Sequence, residues 1–416
     1  MEWILQQEVE GLQHRSATQV LSFVLFLYMS AVTIVVTLIP FRFAFPIDHA
    51  KFSLFGGAAD TVLNIFLFIP LGFLYHLINF KKKIKWQKHA FLFGISFSSI
   101  IEFLQLFLEK RCTSPSDILM NGLGALLGAY IYQEFSSRAR RLNQQSVGLI
   151  VLDLPVTNIF YLLIPQLWLN SLATGKIYHR YWQALLIGLI GVIIVSEIYS
   201  QRKSVRQIIS PTGLAGFTSA WYIIGSALLI TKQPLIVLLI GCFLGVLTFL
   251  LAQTSKQRSA QIRSLEINII KKIIPVFMVY LIGLTYFPLV SPQMPWQFSF
   301  GLSAIPEDPS NVIIFSLLEY LAAFSLFGFM ISQWLATSET ALLKKKVAIS
   351  GIIFGVAGVL ELVRGFHPFF ESSFTQYLLA DIAGFAGILI YRVQLGSVRK
   401  ILMSKYSPNL RSVQVK

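Results

Sequence analysis

The amino-acid sequence predicts an all-α protein, a polytopic transmembrane bundle of about a dozen helices (roughly ten to thirteen) with both termini in the cytoplasm. Three observations carry that expectation. The 416 residues are 55% hydrophobic and only 13% charged, with a mean hydropathy of +0.68, too apolar for a chain that must stay dissolved in water. The apolar residues fall in runs of roughly 20, the length a helix needs to cross about 30 Å of hydrocarbon. The basic residues fall between those runs, mainly in alternate connections.

In chain order the runs lie near 18–40, 61–79, 89–108, 116–134, 148–169, 182–199, 211–231, 234–252, 269–290, 311–333, 347–363 and 376–393. The first follows His14 and Arg15, is longer than the apolar region of a signal peptide, and ends in Pro40-Phe41-Arg42-Phe43 rather than a small-x-small cleavage site. It reads as an uncleaved anchor. The pair 211–231 and 234–252, separated only by Thr231 to Pro234, reads as a helical hairpin. Cys112 falls in a connection and Cys242 inside a run, so no disulfide framework is expected.

A net charge of +15, from 34 Lys and Arg against 19 Asp and Glu, raises the question of nucleic acid. The distribution answers it. Lys81, Lys82, Lys83, Lys85 and Lys88 follow the second run, and Arg138, Arg140 and Arg141 follow the fourth. The same parity continues through Arg202, Lys203 and Arg206, through Lys256, Arg258 and Arg263, through Lys344 to Lys346, and into the tail from Arg399 to Lys416. This is the pattern of cytoplasmic loops facing an anionic leaflet, with membrane lipids rather than nucleic acid as partners. The expected location is the cell membrane, with many passes; the oligomeric state is left open.

Basic linkers at 135–147 and 253–268 divide the chain into a four-helix domain at 18–135, a middle bundle at 148–252, a last domain at 269–394 and a basic tail at 395–416. The first and last groups echo one another. Ile39-Pro40-Phe41 is matched by Tyr286-Phe287-Pro288, Gly72-Phe73 by Gly328-Phe329, and Glu102 by Glu361. Asn121-Gly122-Leu123-Gly124 is matched by Asp381-Ile382-Ala383-Gly384, so Asn121 pairs with Asp381 and Asp117 with Tyr377. Duplication is the expectation.

A charge at the bilayer centre costs a few kcal/mol, so ionisable residues near apolar runs are functional candidates. In the first domain the candidates collect at predicted outer helix ends: Arg42, Asp60, Asn64, Glu102, Gln105, Arg111, Asp117 and Asn121. Glu102 and Gln105 share a helix face, as do Asp117 and Asn121, and neighbouring packing of the third and fourth helices would close one polar pocket. Arg42 and Arg111 are suited to hold an anionic group while the carboxylates orient them. The bland alternative is a set of internal ion pairs locking four helices together. Gly124 and Gly128 have the small-xxx-small spacing of close helix packing. The last domain offers Glu361, Arg364, His367 and Asp381, with His367 expected to be a solvated loop residue.

No Walker A loop, nucleophile elbow, His-Glu-x-x-His or dinucleotide fingerprint is present, and neither Cys has zinc-site spacing. No metal, cofactor or catalytic residue is assigned.

Arg42, Asp60-Thr61-Val62-Leu63-Asn64-Ile65, Phe68-Ile69-Pro70-Leu71-Gly72-Phe73, Glu102-x-x-Gln105, Arg111, Ser114-Pro115-Ser116-Asp117 and Asn121-Gly122-x-Gly124 occur in that order. Over roughly residues 20 to 135 this pattern resembles the VanZ-like family, and the region from about 270 to 394 resembles a second, divergent copy. The resemblance implies a small multi-helix membrane domain and a link, through its founding member, to resistance against teicoplanin, a lipoglycopeptide acting on cell-wall precursors. The expected function is a cell-envelope protein whose outward pocket engages an anionic lipid headgroup or a lipid-linked envelope precursor. Two alternatives stand beside it: a lipid-modifying enzyme using Glu102 or Asp117 as general base, and a secondary transporter.

Overall fold

The structure, a computed structural model, describes residues 22–39, 41–43, 51–53, 57–79, 86–108, 112–142, 154–174, 180–230, 233–255, 262–286, 295–301, 311–336, 338–368 and 371–411. Within the described residues each predicted run contains helix. In the first third of the chain these are α1 (Ser22–Leu38), α2 (Ala58–Asn79), α3 (Trp86–Gln105) and α4 (Pro115–Leu142), with two-residue strands β1 (Lys51–Phe52) and β2 (Cys112–Thr113) before α2 and α4. The middle holds α5 (Leu154–Ala173), α6 (Tyr181–Gln201), the short α7 (Lys203–Ile208), α8 (Pro211–Gly225), the single turn α9 (Ala227–Ile230) and α10 (Pro234–Thr254). Then come α11 (Ile262–Tyr286), β3 (Phe298–Ser299), α12 (Asn311–Leu335), α13 (Glu339–Arg364), β4 (Ser372–Ser373) and α14 (Phe374–Arg411). Among the described residues seven of these helices are long and apolar enough to cross a membrane. This is a helical membrane protein.

Local chemistry sets the boundaries. Pro115, Pro211 and Pro234 open α4, α8 and α10, where a missing N–H costs nothing. Ser210 and Ser338 cap α8 and α13, accepting the amides of Gly213 at 3.1 Å and Ala341 at 3.2 Å. Thr33, Thr218, Thr248 and Ser332 are buried and donate to the carbonyl four residues earlier, so each hydroxyl is satisfied within its own helix. Two expectations shift. The run 211–231 is broken at Ser226, whose amide turns back to the Tyr222 carbonyl at 2.8 Å, giving α8 and α9. The Ser338 cap starts α13 early, so Lys344, Lys345 and Lys346 are exposed helical residues rather than parts of a connection.

The chain divides into two compact units, residues 1–152 with 392–416 and residues 153–391, so the middle and last predicted groups share one unit up to Tyr391. In the first unit α4 packs against α2 and α3. Close approach to α2 requires glycine: a Cβ on Gly124 would collide with the Ile65 carbonyl, and one on Gly128 with the Ile69 carbonyl. In the second unit Gly328 lies against the Gly384 carbonyl and Gly387 against the Ser325 carbonyl in the same manner.

The connections are stitched by backbone. β1 and β2 pair in parallel, Lys51 with Cys112 and Phe52 with Thr113; β3 and β4 pair in parallel, Phe298 with Ser372 and Ser299 with Ser373. Phe43 forms an isolated antiparallel bridge with Leu108.

Candidate functional site

Several candidate residues of the first unit lie near the end where β1 meets β2. Glu102, in the last turn of α3, is 5% exposed, and its Oε2 accepts the Ser114 amide hydrogen at 3.0 Å. Thr113 Oγ1 donates to the Glu102 carbonyl at 3.4 Å. The carboxylate thus satisfies a backbone donor at the entrance to α4 and fixes where that helix begins. Gln105 points the other way and donates to the Thr37 carbonyl of α1 at 3.0 Å. Asn121 donates to Ser98 Oγ at 2.8 Å between α4 and α3, and its own Oδ1 is buried without a hydrogen-bond partner.

Asp117, in the first turn of α4, faces α2. The Asn64 amide and the Ser116 hydroxyl reach its carboxylate, and Asp60 is close enough for the two negative charges to repel. Asp60 itself is exposed. The structure therefore brings Asp60, Asn64 and Asp117 together on the α2–α4 side, while Glu102, Gln105 and Asn121 each bond a different neighbour. Arg42 is exposed at the same end; Arg111 lies outside the described residues.

Arg42 owes its position to Phe41, which has φ of 59°, a left-handed conformation that a bulky side chain rarely adopts. The Phe41 amide bonds the Leu38 carbonyl at 2.9 Å, closing the turn, and the next residues swing so that Phe43 can bridge Leu108. Strain of this kind costs about 1–2 kcal/mol. Phe41→Gly is expected to raise stability by about 0.5–1 kcal/mol, since glycine adds unfolded-state entropy that offsets part of the relief. Phe41→Val should lower it, and unfolding midpoints in one detergent compare the three proteins.

In the second unit Glu361 Oε2 accepts the Ser373 amide hydrogen at 3.2 Å, as Glu102 does from Ser114. Arg364 Nη1 lies 3.5 Å from Glu361 Oε1. One offset of 259 residues relates Glu102 to Glu361, Ser114 to Ser373 and Gly128 to Gly387. The pairing of Asn121 with Asp381 and of Asp117 with Tyr377 read from the sequence has an offset of 260. His367 also departs from expectation. The turn after α13, in which its amide bonds the Arg364 carbonyl at 2.9 Å, folds it inward until only 4% is exposed.

A second polar centre was not foreseen. Glu319, in α12, is fully buried and bonded by four residues, two from α5, one from α11 and one at the start of α6. Arg180, at the start of α6, donates to Oε2 at 2.7 Å; the Tyr280 hydroxyl and Asn170 Nδ2 donate to Oε1 at 2.7 and 2.8 Å. Gln166 donates to the Tyr280 oxygen at 2.6 Å and to the Glu319 carbonyl at 2.9 Å, and Gln183 accepts from Asn170 at 3.2 Å. The available signal was Glu319 itself, a lone carboxylate well inside an apolar run, which demands a cation.

Residues 10–137 match the family model described as VanZ/LLP1. Protein VanZ of Enterococcus faecium is 25% identical over 118 residues, which are 28% of this chain and 70% of that protein. No solved structure matches.

Proposed function

From a chain that carries a VanZ-like domain over residues 10–137, we propose a cell-membrane protein whose domain engages an anionic lipid headgroup or cell-envelope precursor on its outer face. The observation that carries this reading is the gathering of polar groups where β1 meets β2, with Arg42 exposed beside them. Both termini lie in the cytoplasm by the charge parity, which puts this end outside. Arg42 and Arg111 contact the anion. Glu102 holds the α4 entrance in place, and Asp60 and Asp117 orient the guanidinium groups. Occupying a cell-wall precursor at that face would shield a lipoglycopeptide's target, the role that the resemblance implies. The recurrence of the Glu361–Ser373 and Gly387 contacts supports reading 269–394 as a divergent second copy.

Purified full-length protein in nanodiscs should retain phosphatidylglycerol over phosphatidylcholine. Arg42→Ala with Arg111→Ala should lower that retention roughly tenfold, the loss expected when charge-assisted contacts to one anion are removed. Unchanged retention by a folded double variant would sink the proposal.

A further inference from the structure

The start of α3 and the facing stretch of α4 border an open groove of about 380 Å³, lined by Trp86, Gln87, Leu123, Leu126, Leu127 and Tyr130. That volume falls within the roughly 300–1,000 Å³ of ligand sites. The groove lies at the opposite end of α3 from Glu102. The helix runs from Trp86 to Gln105, and its 20 residues span about 30 Å.

Each wall follows from its residues. Gly122 lets α4 come up against α3, since a Cβ there would lie 2.9 Å from Ile95 and 3.0 Å from Phe91. Leu123, Leu127 and Tyr130 recur every three or four residues along one exposed face of α4. Trp86 stands opposite and is backed by His76 of α2, whose ring centre lies 5.2 Å away and which bonds Gln133 at 3.3 Å. The result is an apolar trough with a Trp and a Tyr toward one end, the ring types that favour the headgroup level of a bilayer.

Charge says what fills it. The segments that flank the groove, residues 79–90 and 127–147, hold eight Lys and Arg against a single acid, Glu134. Lys88 and His89, directly after Gln87, are exposed and, among the described residues, form no hydrogen bond or ion pair. Glu134, one turn beyond Tyr130, is half-buried and cannot balance that excess alone. A neutral apolar molecule would use the trough and leave the cations idle, whereas an anionic phospholipid uses both.

We propose that the groove holds one anionic phospholipid, its acyl chain along Leu123, Leu126 and Leu127, its glycerol level beside Trp86 and Tyr130, and its phosphate against Lys88 and His89. By the charge parity its leaflet is the cytoplasmic one. The site shares neither a residue nor an end of the domain with the one assigned to Arg42 and Arg111.

Full-length protein in phosphatidylcholine nanodiscs tests it, doped with equal small fractions of phosphatidylglycerol or phosphatidylcholine carrying a mid-chain diazirine. Irradiation and peptide mapping then locate each lipid. In wild type, residues 123–130 should take up roughly tenfold more label from phosphatidylglycerol, the difference that one charge-assisted contact makes. Leu235 and Leu239, exposed on α10 in the second unit, should label equally from both. Lys88→Glu with His89→Gln should erase the preference, and Leu127→Trp, which fills the groove, should cut labelling there severalfold. Arg42→Ala with Arg111→Ala should leave the groove's preference intact, which separates this site from the outward one. Should a groove variant not fold, the wild-type comparison decides by itself. Equal labelling of 123–130 by the two lipids in wild type overturns the proposal. So does a full preference in the folded Lys88 and His89 double variant, undiminished labelling in folded Leu127→Trp, or a preference lost with Arg42 and Arg111.

Discussion

Glu319→Ala is expected to destabilise the second unit by about 3–5 kcal/mol, the range for removing one partner of a buried ion pair. The loss has two parts. Arg180, 8% exposed, would keep its charge with no carboxylate to meet it. Tyr280 and Asn170 would lose their shared acceptor. Membrane helices find substitute partners when they separate, which moves the figure toward the lower end of the range. Glu319→Gln retains an acceptor but not the charge and should fall between. Replacing both charges, Arg180→Met with Glu319→Leu, should cost clearly less than the two single changes added together, because neither ion is stranded. Unfolding midpoints of Glu319→Ala, Glu319→Gln, the two single changes and the double change in one detergent provide the comparison. A wild-type midpoint for Glu319→Ala would mean that the network contributes nothing.

Gly128→Ala is expected to cost on the order of 2–4 kcal/mol and to reduce accumulation in membranes. The added methyl would meet backbone: the Ile69 carbonyl and, at 2.8 Å, the Phe73 nitrogen. A side chain could rotate away, but here α2 and α4 would have to separate along their length. Gly355 is the control, since a Cβ there meets nothing within 4 Å. Gly355→Ala should be neutral or stabilising by up to about 1 kcal/mol, through helix propensity alone. Equal melting of the two variants would refute the packing account.

How much of this was legible depends on range. Helix positions follow from runs of about 20 apolar residues and from Ser-Pro starts, both local, and the twelve runs were readable for that reason. The close contact at Gly124 and Gly128 was readable from spacing on one helix. What failed to show was long-range or handed. Arg180 and Glu319 stand 139 residues apart, and nothing in either neighbourhood names the other. The left-handed Phe41 has no sequence mark, since the usual mark is glycine. The two-residue strands are too short for an alternating pattern to register. Among the candidate residues, Asp60, Asn64 and Asp117 lie together. Glu102 turned to a backbone amide, a partner that side-chain patterns do not reveal.

The parallel bridges also bear on the order in which the molecule can assemble. Lys51 meets Cys112 only after the intervening helices α2 and α3 have been made and brought side by side, and Phe298 meets Ser372 only after α12 and α13 have been. Both contacts close long loops, so they arrive late, once the entropy of closure has been met by helix packing. During synthesis from the N-terminus each polar end would therefore exist first as unpaired loops and become a shaped surface only when its last helix docks.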